Sequence, residues 1–589
     1  MENVKKDQEK IKDLQKWHKA LLDVRQPLES VIDILIDFCN HTRKKINDDP
    51  AATRGQITGQ NVYDGTANSA AKIYADGLFG NLCSQSLRWF SLVLPGKIEF
   101  AGWSAMRKYN GKRMDEIPDV RAYLEGSDES LYSAFNRSNY YNVQPVFLRD
   151  GGTIGTAVKY LEEQIKEGRQ VLTVLHPREY CIGLDNYGRA DTLFRKWPCS
   201  LRQLVDKFGL EKLKDSDSTF NDKYEKNPYT EMNLVHAVLP RKDFDPSKKD
   251  NKNKPWASYF YLDGKDVLLS EGGYNHFPYI VWLHDKQDNS GYGVGPGHEA
   301  YVEIMLASQQ GASNIIAGQK MVEGPLVAHE NLRGLIQRQP KGITYLRNMD
   351  HRPLPLQENI QLPYALEMLD RTQKIIEKRW HVPFFMALSQ AALDKIEMTA
   401  YQAMQIVGER ATMLGPVVGR LSCDDLDPTI DLMFYGEQEA GRLPDIPQIM
   451  LDFGISAANI EVDYSGPLAT AQRRTHQTQG IRQGLQILSE IAQAAQIVAA
   501  GSPQVKYAIR WPETVRAGTM SAGFPAKLLA SDEEIQAAMQ AEEEQANAQQ
   551  MTQEIDSMAK ILPAASKEIE PGSAIDALMG GALSGGQNG

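Results

Sequence analysis

The chain has 589 residues, with 42% hydrophobic and 24% charged side chains and a formal net charge of −11. It is long enough for several domains, and its composition is that of a folded soluble protein. The acidic balance argues against tight wrapping of nucleic acid on an open surface, though loose passage along an acidic wall is compatible with it.

The first residues, MENVKKDQEKIKDLQKW, carry charge and no apolar stretch, so no signal peptide is expected. No apolar run reaches about 18 residues, so no membrane span is expected. Residues 1–45 predict a helix, with Leu14, Leu21, Val24, Leu28 and the run Val31 to Ile36 at helical spacing. Residues 63–82 predict a helix of small residues, capped by Asp64 or Thr66. SLRWFSLVLP then reads as a short strand ending at Pro95.

From about 145 to 285, short apolar runs alternate with turns, and Asn186 to Gly188 and Asp263-Gly264 mark turns between strands. One helix, SLRQLVDKFG, interrupts this β-rich region. Residues 297–320 predict a helix. Residues 321–358 hold Pro325, Pro340, Pro353 and Pro355 and predict a compact non-helical insert. A second helix spans 360–380, with Pro363 in its first turn. The loop HVPFFMALSQAALDK follows. Thr399 and Gln402 form a capping box for the next helix, which Gly415-Pro416 should kink. Asp427-Pro428 starts a further helix that stops at Gly441. IEVDYSGPLATAQRR gives a strand, a turn and a Gln/Ala-rich helix; a last helix starts at Ser531, and the Gly-rich end predicts disorder.

A search for chemistry finds little. The five cysteines (Cys39, Cys83, Cys181, Cys199, Cys423) are widely spread, so neither a zinc site nor a disulfide framework is expected. The stretch GYGVGPGHEA carries glycines at 291, 293, 295 and 297, but a dinucleotide loop would need glycine where Pro296 or His298 stands. No lysine follows, so a P-loop fails too. These glycines read as a turn that uses positive φ to lead into the helix at 297. HENLR (329–333) lacks the second histidine of a zinc-protease motif. DDLD (424–427) could hold Mg²⁺, but a cluster complementing a helix dipole is the preferred reading. No catalytic, metal or cofactor residue is assigned, and the chain is not expected to be an enzyme. The helix at 297–320 is unusual in holding Gly311 and Gly318 among alanines and serines. Each glycine costs about 1 kcal/mol against alanine, so a close neighbour should offset it, either within the chain or from a second copy.

The order of these parts resembles the portal proteins of tailed bacteriophages, and more narrowly the head-to-tail connecting proteins of short-tailed phages. The likeness rests on YDGTANSAAKIYADGLFGNL…RWFSL, EYCIGLDNYGRADTLFRKW with LVDKFG, GYGVGPGHEA, MTAYQAMQIVGERATMLGPVVGRL and YSGPLATAQRR, across residues 60–475. The family more often has Thr-Ala-Thr-Glu where this chain has Thr399-Ala400-Tyr401-Gln402. The resemblance implies an α+β portal fold: a mixed wing (1–296), a first stem helix (297–320), a clip (321–358) and a second stem helix (359–382). A tunnel loop (383–397), a long kinked wing helix with its return strand (398–467), a helical crown (468–550) and a tail (551–589) would follow. It implies a twelve-subunit ring at a capsid vertex of the virion, assembled in the host cytoplasm, with double-stranded DNA passing through it. Implied partners are the terminase large subunit, a tail adaptor, and scaffold and capsid proteins, with no membrane. Lys374, Lys378, Arg379 and Lys395 are candidate channel cations, although helix C-terminal charge is the plainer reading. Phe384, Phe385, Met386, Ser389 and Gln390 fall in the tunnel loop, where packing of the aromatic pair and Met386 against the wing is preferred over a grip on DNA. Arg333, Arg338, Lys341, Arg347 and Arg352 are candidate clip contacts, for which a solvated surface is the plainer reading. The competing readings are a nucleic-acid-processing enzyme and a helical scaffold or adaptor without a channel.

Overall fold

The computed structural model describes residues 2–43, 62–94, 117–322 with short gaps, parts of 326–355, 361–386, 414–452 and 460–465. The chain forms two compact units, Met1–Arg473 and Arg474–Gly589. The second unit lies outside the described residues, as do the segments expected as crown (468–550) and tail (551–589), and Thr399 and Gln402.

Helix α1 (Glu2–Cys39) serves three cores along its length, with Leu35 and Cys39 in the main one. Ile11 and Leu14 pack with Phe194, Val235 and Tyr261, while Ile32 and Ile36 pack on Ile154. Between them Arg25 is buried, donating to Glu29 and to the Tyr180 carbonyl, so its charge is paired where it leaves water. Helix α2 (Thr66–Leu82) buries Ala67, Ala70, Ala71 and Ala75, which lets neighbouring helices approach. Its expected cap is not formed. Gly65 precedes the helix, and the Thr66 hydroxyl donates to Asp64 instead.

Strand β1 (Phe90–Val93) is followed, beyond a masked stretch, by α3 (Pro118–Arg137) and α4 (Tyr140–Ile154). The β-rich texture expected from 145 therefore begins later, at 156. Pro145 and Gly151-Gly152 disguise α4, but its backbone can stay helical because large rings press on both glycines. A Cβ at Gly151 would lie 2.1 Å from the Trp282 ring, and one at Gly152 2.9 Å from Tyr74.

Two antiparallel sheets follow. Strands β2 (Thr156–Gln164), β3 (Arg169–Val174) and, later in the chain, β9 (Tyr279–Leu283) make one, with β2 in the middle. The other, β4 (Tyr180–Leu184), β5 (Ala190–Ser200), β6 (Glu231–Pro240), β7 (Trp256–Leu262) and β8 (Leu268–Tyr274), runs in sequence order. Alternation sorts β2 between two cores: Ala157 and Leu161 face the helices, Val158 and Tyr160 face the second sheet. The single interposed helix is in fact three, α5 (Leu201–Phe208), α6 (Leu210–Ser216) and α7 (Phe220–Lys226). Ser200 and Gln203 form a capping box at the first, and Gly209, with φ +83°, ends it.

Beyond the hairpin helices described below, α11 (Gly415–Leu421), a π turn (Ser422–Leu426) and α12 (Asp427–Glu439) run on as one helix. Two expectations change here. Gly415-Pro416 stands in a first turn, where proline is tolerated. Asp427-Pro428 continues a helix rather than starting one. Proline removes a backbone donor and crowds the preceding turn, and the π turn supplies the room. Helix α12 ends as expected, with Gly441 at φ +65°. A short helix α13 (Gln448–Asp452) leads toward β12 (Glu461–Tyr464), which pairs antiparallel with β1, Phe90 opposite Tyr464.

Candidate assembly surface

Helix α8 (Pro296–Glu299) leads into α9 (Tyr301–Val322), which pairs with α10 (Leu362–Arg379). The single helix expected at 297–320 breaks at Ala300 and resumes at once, with Ile304 donating to the Ala300 carbonyl. The inner face of α9 buries Ile304, Ala307, Ser308 and Gly311. A Cβ at Gly311 would lie 2.9 Å from the Tyr63 carbonyl oxygen, and the Tyr63 amide donates to Ser308. For this glycine the close neighbour is the chain's own backbone, not another helix. Gln373 of α10 donates to Asp64, and Thr372 donates to Gln310 across the pair.

The outer face is different. Val302, Ile315, Ile316 and Val322 on α9, with Tyr364 and Leu366 on α10, are exposed, Val322 to 86%. Gly318 has nothing within 4 Å of the place a Cβ would take. Half of the small-residue pattern is thus used inside the chain, and the outer part is uncovered. Six large apolar side chains on one helix pair mark a surface suited to association.

The base of this pair is a glycine lock. Gly291 has φ +81°, as a turn requires, but Gly293, Gly295 and Gly297 do not take positive φ. Their reason is close approach. A Cβ would lie 2.4 Å from the Gly155 carbonyl oxygen at Gly293, 2.6 Å from that of Gly152 at Gly295, and 2.2 Å from that of Thr153 at Gly297. Gly155, with φ +77°, ends α4 and presses back on Gly293. The Gly293 amide donates to the Thr156 hydroxyl, and His284 to the Gly155 carbonyl. The stretch is a backbone-to-backbone joint and offers no phosphate cradle.

The candidate cations divide. Lys374 pairs with Asp370 at 2.6 Å, and Arg379 reaches Glu303 at 3.6 Å and Glu299 at 4.0 Å. Arg379 therefore holds the end of α10 to the start of α9. Lys378 is exposed with no ion pair among the described residues. Lys395, Ser389 and Gln390 lie outside them. The loop expected from 383 begins as helix over residues 382–386. There Phe384, Phe385 and Met386 pack on the main core, and the Phe385 ring fills the place of a side chain at Gly77. In the insert, β10 (Leu326–Val327) and β11 (Leu354–Pro355) pair antiparallel. Arg333 and Arg352 are exposed; Arg338, Lys341 and Arg347 lie outside the described residues.

One cluster went unread in the sequence. Lys159 of β2 and Asp425 of the π turn are both fully buried, 2.5 Å apart. Lys159 donates to Gln144, Gln144 donates to Asp425, and the Lys159 ammonium sits 4.7 Å from the Phe147 ring centroid and 5.1 Å from that of Tyr140. Burial pushes the lysine pKa down and Asp425 draws it back. Asp424 accepts from the Leu283 backbone and Asp427 from the Tyr464 hydroxyl. The DDLD group is thus shared among three structural contacts, and Asp427 also stands in the first turn of α12, where its charge suits the helix dipole.

The model of the family described as bacteriophage head to tail connecting protein matches residues 11–529. The chain belongs to that family. The matched range includes the sheets, the glycine lock and the helices α8 to α10 of this chain. Among its relatives are a portal protein of Salmonella phage epsilon15, 24% identical over 83% of each chain, and a probable portal protein of Bordetella phage BPP-1, 26% identical over 71% of this chain and 72% of the relative.

Proposed function

We propose that this chain is the portal subunit of a phage particle, assembling with copies of itself into a ring through the outer face of α9 and α10. The observation that carries the reading is the uncovered apolar face on a helix pair otherwise tied into its own core, in a chain that matches a portal protein over 83% of its length. In this reading α9 and α10 are the stem, residues 321–358 the clip, the sheets and remaining helices the wing, and residues 383–397 lead into the channel. The role is structural rather than catalytic. A twelve-subunit ring would carry double-stranded DNA during packaging and ejection and dock the terminase, the tail adaptor and capsid proteins. An acidic ring suits that role, since few cation–phosphate pairs would form and DNA would slide.

Negative-stain images of the purified protein test this. Rings with a central hole are expected; monodisperse monomers at high concentration would refute the proposal, and compact particles without a hole would favour an adaptor. Ile316→Asp places a charge on the uncovered face. The folded chain should keep its circular dichroism, while assembly should require about a hundredfold more protein.

A further inference from the structure

Where α10 ends, the chain makes a strained turn against a buried histidine. His381 has φ +53° and is the one non-glycine residue at positive φ among the described residues. Its amide donates to the Lys378 carbonyl, and its own carbonyl accepts from Phe384, starting the helical turn at 382–386. On either side of this pivot, Trp380 and Phe385 stand edge-on to the Tyr74 ring, with centroids at 5.8 and 6.0 Å. Tyr74 Oη lies 2.7 Å from His284 Nε2. Trp380 is fully buried, yet its indole nitrogen has no partner among the described residues. A joint held by ring packing, one strained residue and an unpaired donor is poised to open.

We infer that residues 380–386 form a proton-released latch, closed on Tyr74 while His284 is neutral and freed when that ring takes up a proton. The groups facing His284 come from every side: Tyr74 from α2, Asp285 beyond β9, Val294 from the lock, His381 from the turn after α10, and Arg420 from α11. Arg420 is itself paired with Asp285 at 2.7 Å. His381 faces Glu299, which Arg379 also approaches. Burial, and then His381 and Arg420, push His284 down to about 4, with Asp285 drawing it partly back. The closed form therefore binds the proton less tightly than an open, solvated ring with the ordinary value near 6.5. Closure is undiminished above about pH 6.5 and weakens as pH falls toward 4.

Hydrogen exchange of the amides of Trp380, His381, Val382, Phe384, Phe385 and Met386 in the full chain, corrected for the intrinsic rate, measures the opening. Between pH 8 and pH 5 it should rise about thirtyfold, the factor those two values dictate. Amides of β5 and β6 should not follow it. His284→Gln keeps a partner for Tyr74 and cannot titrate; its rise should fall below threefold. Arg420→Gln, at the partly exposed edge, removes a cation beside the ring and should shrink the rise to about tenfold. His381→Gly relieves the positive φ and should slow opening about fivefold at pH 8. A flat wild-type profile, parallel loss of protection in β5 and β6, or an unchanged rise in the Arg420→Gln protein would each overturn the latch.

Discussion

Lys159→Met should destabilise the described unit by about 3–5 kcal/mol, because it leaves the Asp425 carboxylate fully buried without its cation. Methionine fills nearly the same volume, so lost packing contributes little. What remains is a charge whose acceptor oxygens keep only Gln144 and the Thr429 hydroxyl. Asp425→Leu alone should cost a similar amount, stranding the ammonium between two rings. The double variant should recover most of the loss, since a well-packed apolar pair avoids both desolvation penalties. Urea denaturation of the four proteins gives the coupling. If the single variants unfold at the wild-type urea concentration, the pair is not the keystone of this core.

The second large effect is at the glycine lock. Gly297→Ala should cost about 3 kcal/mol, because its methyl would sit 2.2 Å from the Thr153 carbonyl oxygen and 3.0 Å from its carbon. Both are backbone atoms in the last turn of α4, so no side chain can swing aside. Gly318→Ala is the contrast: an open position inside α9, where alanine should stabilise the unassembled chain by about 0.5–1 kcal/mol. Thermal unfolding of the two variants separates close approach from mere helix propensity. Equal shifts would mean that the lock tolerates a methyl group.

Much of this was legible. The two hairpin helices, the β-rich texture up to 285 and the strand at 461–464 follow from periodicity and turn residues. So does the absence of a nucleotide motif in GYGVGPGHEA. What sequence could not supply was partnership between distant residues. Lys159 sits in the strand text TAVKYL, and nothing local says that its counterion is at 425. The glycines at 293, 295 and 297 were read as conformational, yet they are steric, and only the fold brings 151–155 against them. Pro428 looked like a helix start because proline usually is one; the π turn that admits it carries no composition signal. Helix α4 was hidden by the proline and paired glycines that its tertiary neighbours tolerate.

The pairing of β1 with β12 joins residues more than three hundred and fifty positions apart, Phe90 with Tyr464. A chain emerging from the ribosome has made Trp89 and Phe90 long before their partner strand exists. Until then β1 is held by ring packing of Phe90 on Tyr132 and Phe135 and by the Tyr132 hydroxyl and Asp128 carboxylate at backbone amides, and its outer edge stays open. Closing so long a loop is slow, and it comes last. The strand that finishes the first unit is therefore made only when residues 461–464 are: a chain cut short before 460 would lack the partner of β1 and keep its edge unsealed.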